Sequence, residues 1–188
     1  MKPAPGAPRP PGRITRWFIN RLPRSDQLRL THRNVYILPT RAGLMLGLTL
    51  LVLLVGSINY QLNLGYLLTF LLLGCSVVGM HVCHGNLRGL QLRLEPPEPC
   101  FARQTALLDI ALDNPGRHMR HGIAVGEAGT QHWSWTDVPA QGSARVQVGW
   151  SPPGRGRHEL PQLTAQTGFP LGTFRVWTYW RPAAELLV

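Results

Sequence analysis

Acid is scarce in this chain: nine Asp and Glu stand against 19 Lys and Arg in 188 residues. Cysteine is scarcer still. Cys75, Cys83 and Cys100 form no CxxC pair and Cys75 lies inside an apolar run, which excludes a disulfide framework. The sequence holds no GxSxG, P-loop, GxGxxG or HExxH, and no D-x-S-x-S of the kind that builds a metal-ion-dependent adhesion site. No enzymatic activity and no cofactor are therefore expected. From Ala42 to Val82 there is no Asp, Glu, Lys or Arg at all, which excludes a wholly soluble globule even though the mean hydropathy of the chain is near zero.

What is present is sharply segregated. Residues 1 to 41 carry nine basic residues against the single acid Asp26, whereas residues 83 to 188 carry ten arginines against eight acids. A basic cluster beside an apolar segment holds that flank on the cytoplasmic side and has anionic lipid as its nearest partner. With the charge beside the bilayer and the remainder near balance, no nucleic-acid partner is expected. The first dozen residues, MKPAPGAPRPPG, are too rich in proline to form a helix and read either as a soluble tail or as a lipid contact. Residues 13 to 22 set Ile14, Trp17, Phe18 and Leu22 at helical spacing opposite Arg13, Arg16 and Arg21, the pattern of a short interfacial helix or of a frayed segment with a chance stripe. The domain expectation is thus a basic, partly disordered cytoplasmic tail over residues 1–41.

Ala42 to Ile58 and Leu62 to Val82 are apolar runs of 17 and 21 residues. At ~1.5 Å per residue they reach ~26 and ~32 Å, enough for a hydrocarbon core of ~30 Å. Only Asn59, Tyr60 and Gln61 separate them, so residues 42–82 are expected to form an antiparallel transmembrane hairpin. Both ends then lie on the cytoplasmic side. Gly43 with Gly47, and Gly74, Cys75 and Gly79, are small residues of the type that let membrane helices approach, within the hairpin or between copies.

Beyond Leu87 the period changes to alternation. Leu90, Leu92 and Leu94, then Leu108, Ile110 and Leu112, then Ala144, Val146, Val148 and Trp150 mark half-buried strands, separated by Pro96-Pro97, Asn114-Pro115-Gly116, Gln141-Gly142 and Pro152-Pro153-Gly154. Trp133 and Trp135 share one face, and FRVWTYW from Phe174 is a final aromatic strand. About seven short strands with frequent turns over residues 87–188 predict an immunoglobulin-like antiparallel β-sandwich. The fold class expected is accordingly a membrane-anchored all-β protein with a two-helix transmembrane hairpin.

Few side chains invite chemistry. Asp109 and Asp113 fall opposite the apolar face of their strand and read as a solvated outer face. His81, Cys83 and His84 stand where the second apolar run ends and read as interfacial, since no second ligand pair stands nearby. His118 and His121 would need His132 or His158 to complete a ligand set, so no metal site is assigned. Arg175, Trp177 and Tyr179 are the candidate partner-binding residues, being of the types favoured as interface anchors.

The stretches NVYILPTRAGL, NYQLNLGYLLTFLL and RGRHELPQLTAQTGFPLGTFRVWTYWRPAAELLV are similar to the amino-terminal half of bacterial membrane proteins in domain-of-unknown-function family 58. The resemblance covers about residues 33 to 188. Its most specific parts are Asn59 to Leu64 and Thr167 to Gly172, followed by Phe174, Arg175 and Trp177. It implies a bacterial inner (plasma) membrane protein that works with a MoxR-type AAA+ ATPase and a transglutaminase-like membrane protein. In that family a von Willebrand A-like domain follows a valine placed like Val188, where this sequence stops. Two functional expectations result: a non-catalytic interaction or scaffold protein, or a truncated or frameshifted fragment of a longer member with no function of its own. Reporters fused to either end of the chain are expected to be active only in their cytoplasmic form; a periplasmic signal from either would reject the topology.

Overall fold

The computed structural model describes residues 24–130 and 132–188. The interfacial helix expected over residues 13–22 lies outside the described residues. Within them are eleven strands and two long helices, α1 (Arg41–Tyr60) and α2 (Asn63–Leu87). Both helices are long and apolar enough to cross a membrane, and little of either is covered by the rest of the chain. Thr40 caps α1, its Oγ1 accepting from the Gly43 amide at 3.2 Å, and Gln61 ends it in the left-handed region at φ 51°. With so tight a turn, Gly65 lies against the Ser57 hydroxyl, where a Cβ would collide.

Close approach of the helices therefore occurs at Gly65, and two of the small residues predicted for that task, Gly43 and Gly79, face the β-domain instead. Gly47 and Gly74 have nothing near a would-be Cβ, whereas Gly43 faces the Thr173 backbone and Gly79 faces Leu171. Glycine at these last two positions makes room for a loop of the β-domain.

The strands form two principal antiparallel sheets. The first has four strands in the order β1 (Gln27–Arg29), β3 (Gln91–Leu94), β4 (Ala106–Asn114), β7 (Gly142–Trp150). The second has five, in the order β2 (Tyr36–Pro39), β10 (Phe174–Trp180), β9 (Leu163–Thr167), β5 (Arg120–Glu127), β6 (Ser134–Val138). A small pair, β8 (Arg157–Glu159) with β11 (Glu185–Leu187), stands apart. Alternation sets the register of the first sheet: Leu92 pairs with Leu112, Ile110 with Val146 and Leu108 with Val148, all buried. These side chains join Ile123, Val125, Leu163, Ala165 and Val176 of the second sheet in one apolar cluster.

The sequence reading bounded the β-domain at residues 87–188 and left residues 1–41 as tail. In the structure each sheet takes an edge strand from ahead of the helices: Leu28 of β1 pairs with Leu92, and Ile37 of β2 pairs with Val176. Leu30 and Val35 are buried in the common core. Asp26, the only acid of that region, accepts at 2.8 Å from the amides of Ala183 and Ala184, and the Trp180 indole donates to the Ser25 carbonyl at 2.6 Å. Three- and four-residue strands are too short to show alternation, and their partners lie over sixty residues away in sequence.

The last turn of α2 enters the β-domain. Cys83 and Leu87 are members of the core cluster, so of the residues read as interfacial Cys83 is buried in the β-domain, while His84 stacks on His32 at 5.1 Å. Asn86 is buried and satisfied on both sides of its amide: Nδ2 donates to the His121 carbonyl at 2.7 Å and to Thr167 Oγ1 at 3.0 Å, and Oδ1 accepts from the His121 amide at 3.0 Å. The Arg120 guanidinium donates to the Gly85 carbonyl.

Two substitutions test this core. Val146→Asp is expected to unfold the β-domain, because an unpaired carboxylate replaces a buried methyl pair. Leu30→Ala should cost about 2–5 kcal/mol in urea unfolding of the full chain, the cost of a core truncation. A loss below about 0.5 kcal/mol, the usual ceiling for surface changes, would place Leu30 outside the core.

Candidate binding face on the five-stranded sheet

Strand β10 divides its side chains by alternation. Val176, Thr178 and Trp180 are buried on the inner side, while Arg175, Trp177 and Tyr179 share the outer side. The three residues singled out from the sequence are thus brought to one face. Arg175 is exposed, whereas Trp177 and Tyr179 are half-buried beneath neighbours that the sequence did not announce. Tyr36, paired with Trp177 across β2, stacks on its ring at 5.9 Å and lies 6.4 Å from the ring of Tyr179.

The rest of the face comes from β9, β5 and β6. Gln166 pairs with Trp177 and with Ala124, and Thr164 pairs with Tyr179 and with Gly126. Trp135 follows Ala124 on the edge strand and is 61% exposed. Gly126 has no room for a Cβ because the His132 carbonyl oxygen would lie 2.5 Å from it, with the Trp133 indole Cε3 next at 3.1 Å. Small residues on β5 therefore make a trough, with Trp133 and Trp135 on one bank and Arg175 and Tyr179 on the other. The Arg175 guanidinium carbon bridges the banks, 6.0 Å from the Trp133 ring and 5.7 Å from that of Trp177.

This trough encloses about 510 Å³, and its lower rim is formed by Thr40 and Gly168, where the sheet joins α1 and the loop after β9. On this face of the sheet Thr164 Oγ1, Gln166 Oε1 and Trp177 Nε1 are buried without a hydrogen-bond partner, as are Gln162 Nε2 and the inward-facing Thr178 Oγ1 elsewhere among the described residues. Polar atoms in that condition cost about 1–3 kcal/mol each relative to satisfied ones. The indole N–H is a donor, the Gln166 oxygen an acceptor and the Thr164 hydroxyl either, and all three lie covered beneath the aromatic side chains.

The other candidates stay apart. Asp109 faces outward on the four-stranded sheet and accepts from Gln147 Nε2 at 2.9 Å, well removed in role from Asp113 at the far end of β4. His121 Nδ1 lies 3.5 Å from Asp137 Oδ2, and the His158 ring contacts the Gly154 carbonyl at 2.8 Å. Among the described residues no three His, Cys, Asp or Glu side chains gather as a ligand set. The Gly122 amide, donating to Asp137 Oδ1 at 2.6 Å, holds that carboxyl below its ordinary range, and His121 adds to the effect. Comparison with protein-family models, with curated proteins and with solved structures yields no match to this chain.

Two measurements follow from this geometry. Gln166→Leu is expected to leave stability within about 0.5 kcal/mol of the parent or to raise it, since an unpartnered buried oxygen is removed; a loss above about 1.5 kcal/mol would mean that the amide is bonded. Because the carboxyl of Asp137 is lowered in the folded chain, its contribution is complete above the ordinary Asp pKa of ~3.9 and fades as pH falls through the folded value. Asp137→Asn should therefore flatten the acid limb of the stability profile and leave its neutral region parallel to the parent.

Proposed function

We propose that the chain is a non-catalytic, membrane-anchored interaction protein that presents the aromatic trough of its five-stranded sheet to a partner. The observation that carries this reading is the half-covered aromatic face itself, with Trp135 61% exposed and the Arg175 guanidinium set between the Trp133 and Trp177 rings. Among the described residues Thr, Gln, Trp, Tyr and Arg side chains dominate the lining and no His, Cys, Asp or Glu is part of it, a composition suited to recognition more than to proton transfer.

In this reading α1 and α2 cross the bacterial inner membrane, and both chain ends and the β-domain lie in the cytoplasm. The excess of basic residues ahead of α1 supports that orientation and gives anionic lipid a binding partner at the amino-terminal flank. We read the β-domain as an immunoglobulin-like sandwich, supported by its two antiparallel sheets around one core. The trough opens next to Thr40 and Gly168, so its occupant is held near the membrane surface. The partner proposed from the family resemblance is a MoxR-type AAA+ ATPase, with a transglutaminase-like membrane protein in the same assembly.

Co-purification of the full chain with such an ATPase provides the test. Removal of residues 1–23, which leaves β1 intact, should preserve binding, whereas Trp177→Ala should weaken it by ~2 kcal/mol, about 30-fold. Loss of binding with the tail, or full binding in a folded Trp177→Ala chain, would move the contact elsewhere.

A further inference from the structure

The loop between β9 and β10, Gly168 to Thr173, has a composition and a position that neither the core nor the trough accounts for. Leu171 is 54% exposed, with Pro170 exposed beside it, and Phe169 is 38% exposed with its ring centroid 4.9 Å from that of His121. The bond ahead of Pro170 is cis, and Gly172 takes a left-handed φ of 66°.

The tip is tied to the helices. Thr40 Oγ1 donates to the carbonyls of Gly172 at 2.7 Å and Thr173 at 3.1 Å, and the Thr40 amide donates to Thr173 at 2.9 Å. Gly43 then lies against the Thr173 backbone, and a would-be Cβ on Gly79 would sit 2.8 Å from Leu171 Cδ1. Gly65 opposite Ser57 sets the antiparallel offset of the helices, and the same offset brings Gly43 level with Gly79. That level is ~3 Å inside the start of α1 and ~12 Å short of the end of α2, within the uncharged length of both.

On the side of Leu171 that faces α2 the surface is apolar. A recess of about 530 Å³ opens between the loop and α2, lined by Phe70, Leu71, Val78, Val82, Pro170 and Leu171 among others, none charged. The exposed cations Arg41 and Arg175 stand at the start of α1 and just after the loop. An apolar tip flanked by cations and continuous with a bilayer-facing helix surface matches the boundary between acyl chains and phosphates.

We propose that Phe169, Pro170 and Leu171 form a wedge immersed in the lipid leaflet on the side of the β-domain, fastening that domain to the bilayer independently of the helix connections. The partner is the phospholipid bilayer itself, and the proposal rests on the reading that α1 and α2 span it. Spin labels in full-length protein, with Cys75 and Cys100 replaced by Ala and reconstituted in phosphatidylethanolamine–phosphatidylglycerol nanodiscs, separate the two. Labels are placed one at a time at Leu171→Cys, at Leu51→Cys in the middle of α1, and at Leu187→Cys on β11, the last two being 58% and 53% exposed. The expected result is that the labels at 171 and 51 collide more readily with oxygen than with a water-soluble nickel chelate, and the label at 187 the reverse. If the label at 171 follows that at 187 while 51 keeps the lipid signature, the wedge is overturned and the spanning hairpin stands. Nickel access at 51 would overturn both. Should Leu171→Cys fail to fold, Phe169→Cys reads the same boundary by the same comparison.

Discussion

Burial of the last turn of α2 is the constraint on which the rest depends. A helix exposed along most of its length ends with Cys83, Asn86 and Leu87 inside the β-domain. Asn86 saturates the His121 backbone and Thr167 Oγ1 with one amide, and Arg120 covers the Gly85 carbonyl. Such a fully bonded polar group in a core is costly to misplace, so it sets the rotation and depth at which α2 enters. Strands β5 and β9, which supply those partners, are also the middle of the five-stranded sheet. Helix orientation and sheet geometry are consequently one problem.

Topologically the two helices form an insertion. The chain contributes an edge strand to each sheet, leaves at Pro39, runs through α1 and α2, and returns at Leu90 to lay down the remaining strands. Both edges thereby gain a partner from a segment otherwise dominated by arginine, and Asp26 and Arg24 are used to tie it to the carboxy-terminal segment. Motion of the hairpin relative to the sheets would have to break the Thr40 bonds to Gly172 and Thr173 as well as the Asn86 set. The β-domain is thus held at two levels, one in its core and one at the loop.

The outer face of the five-stranded sheet shows a different balance. Its apolar area is aromatic and only half covered, whereas the inner face is buried in the common core. Stability is concentrated on one side of the sheet, which leaves the other side available for recognition.

Hydropathy alone determined the two helices, because a run without charge that long has no stable alternative in this chain, and period-two alternation determined which faces of β4 and β7 are buried, while the pairing of Ile110 with Val146 was decided by the tertiary structure. Arg175, Trp177 and Tyr179 could be placed on one face for the same reason, and Trp133 with Trp135 likewise. Tyr36, Gln166 and Gly126 could not, since each matters only through a neighbour on another strand. The roles of Gly43 and Gly79 were equally hidden: spacing within a helix reports that a close approach is possible, and only the tertiary structure decides whether a second helix or the Leu171 loop makes it. Local pattern follows from covalent order, whereas short edge strands, shared faces and docked loops arise from contacts between segments far apart in sequence, which folding alone brings together.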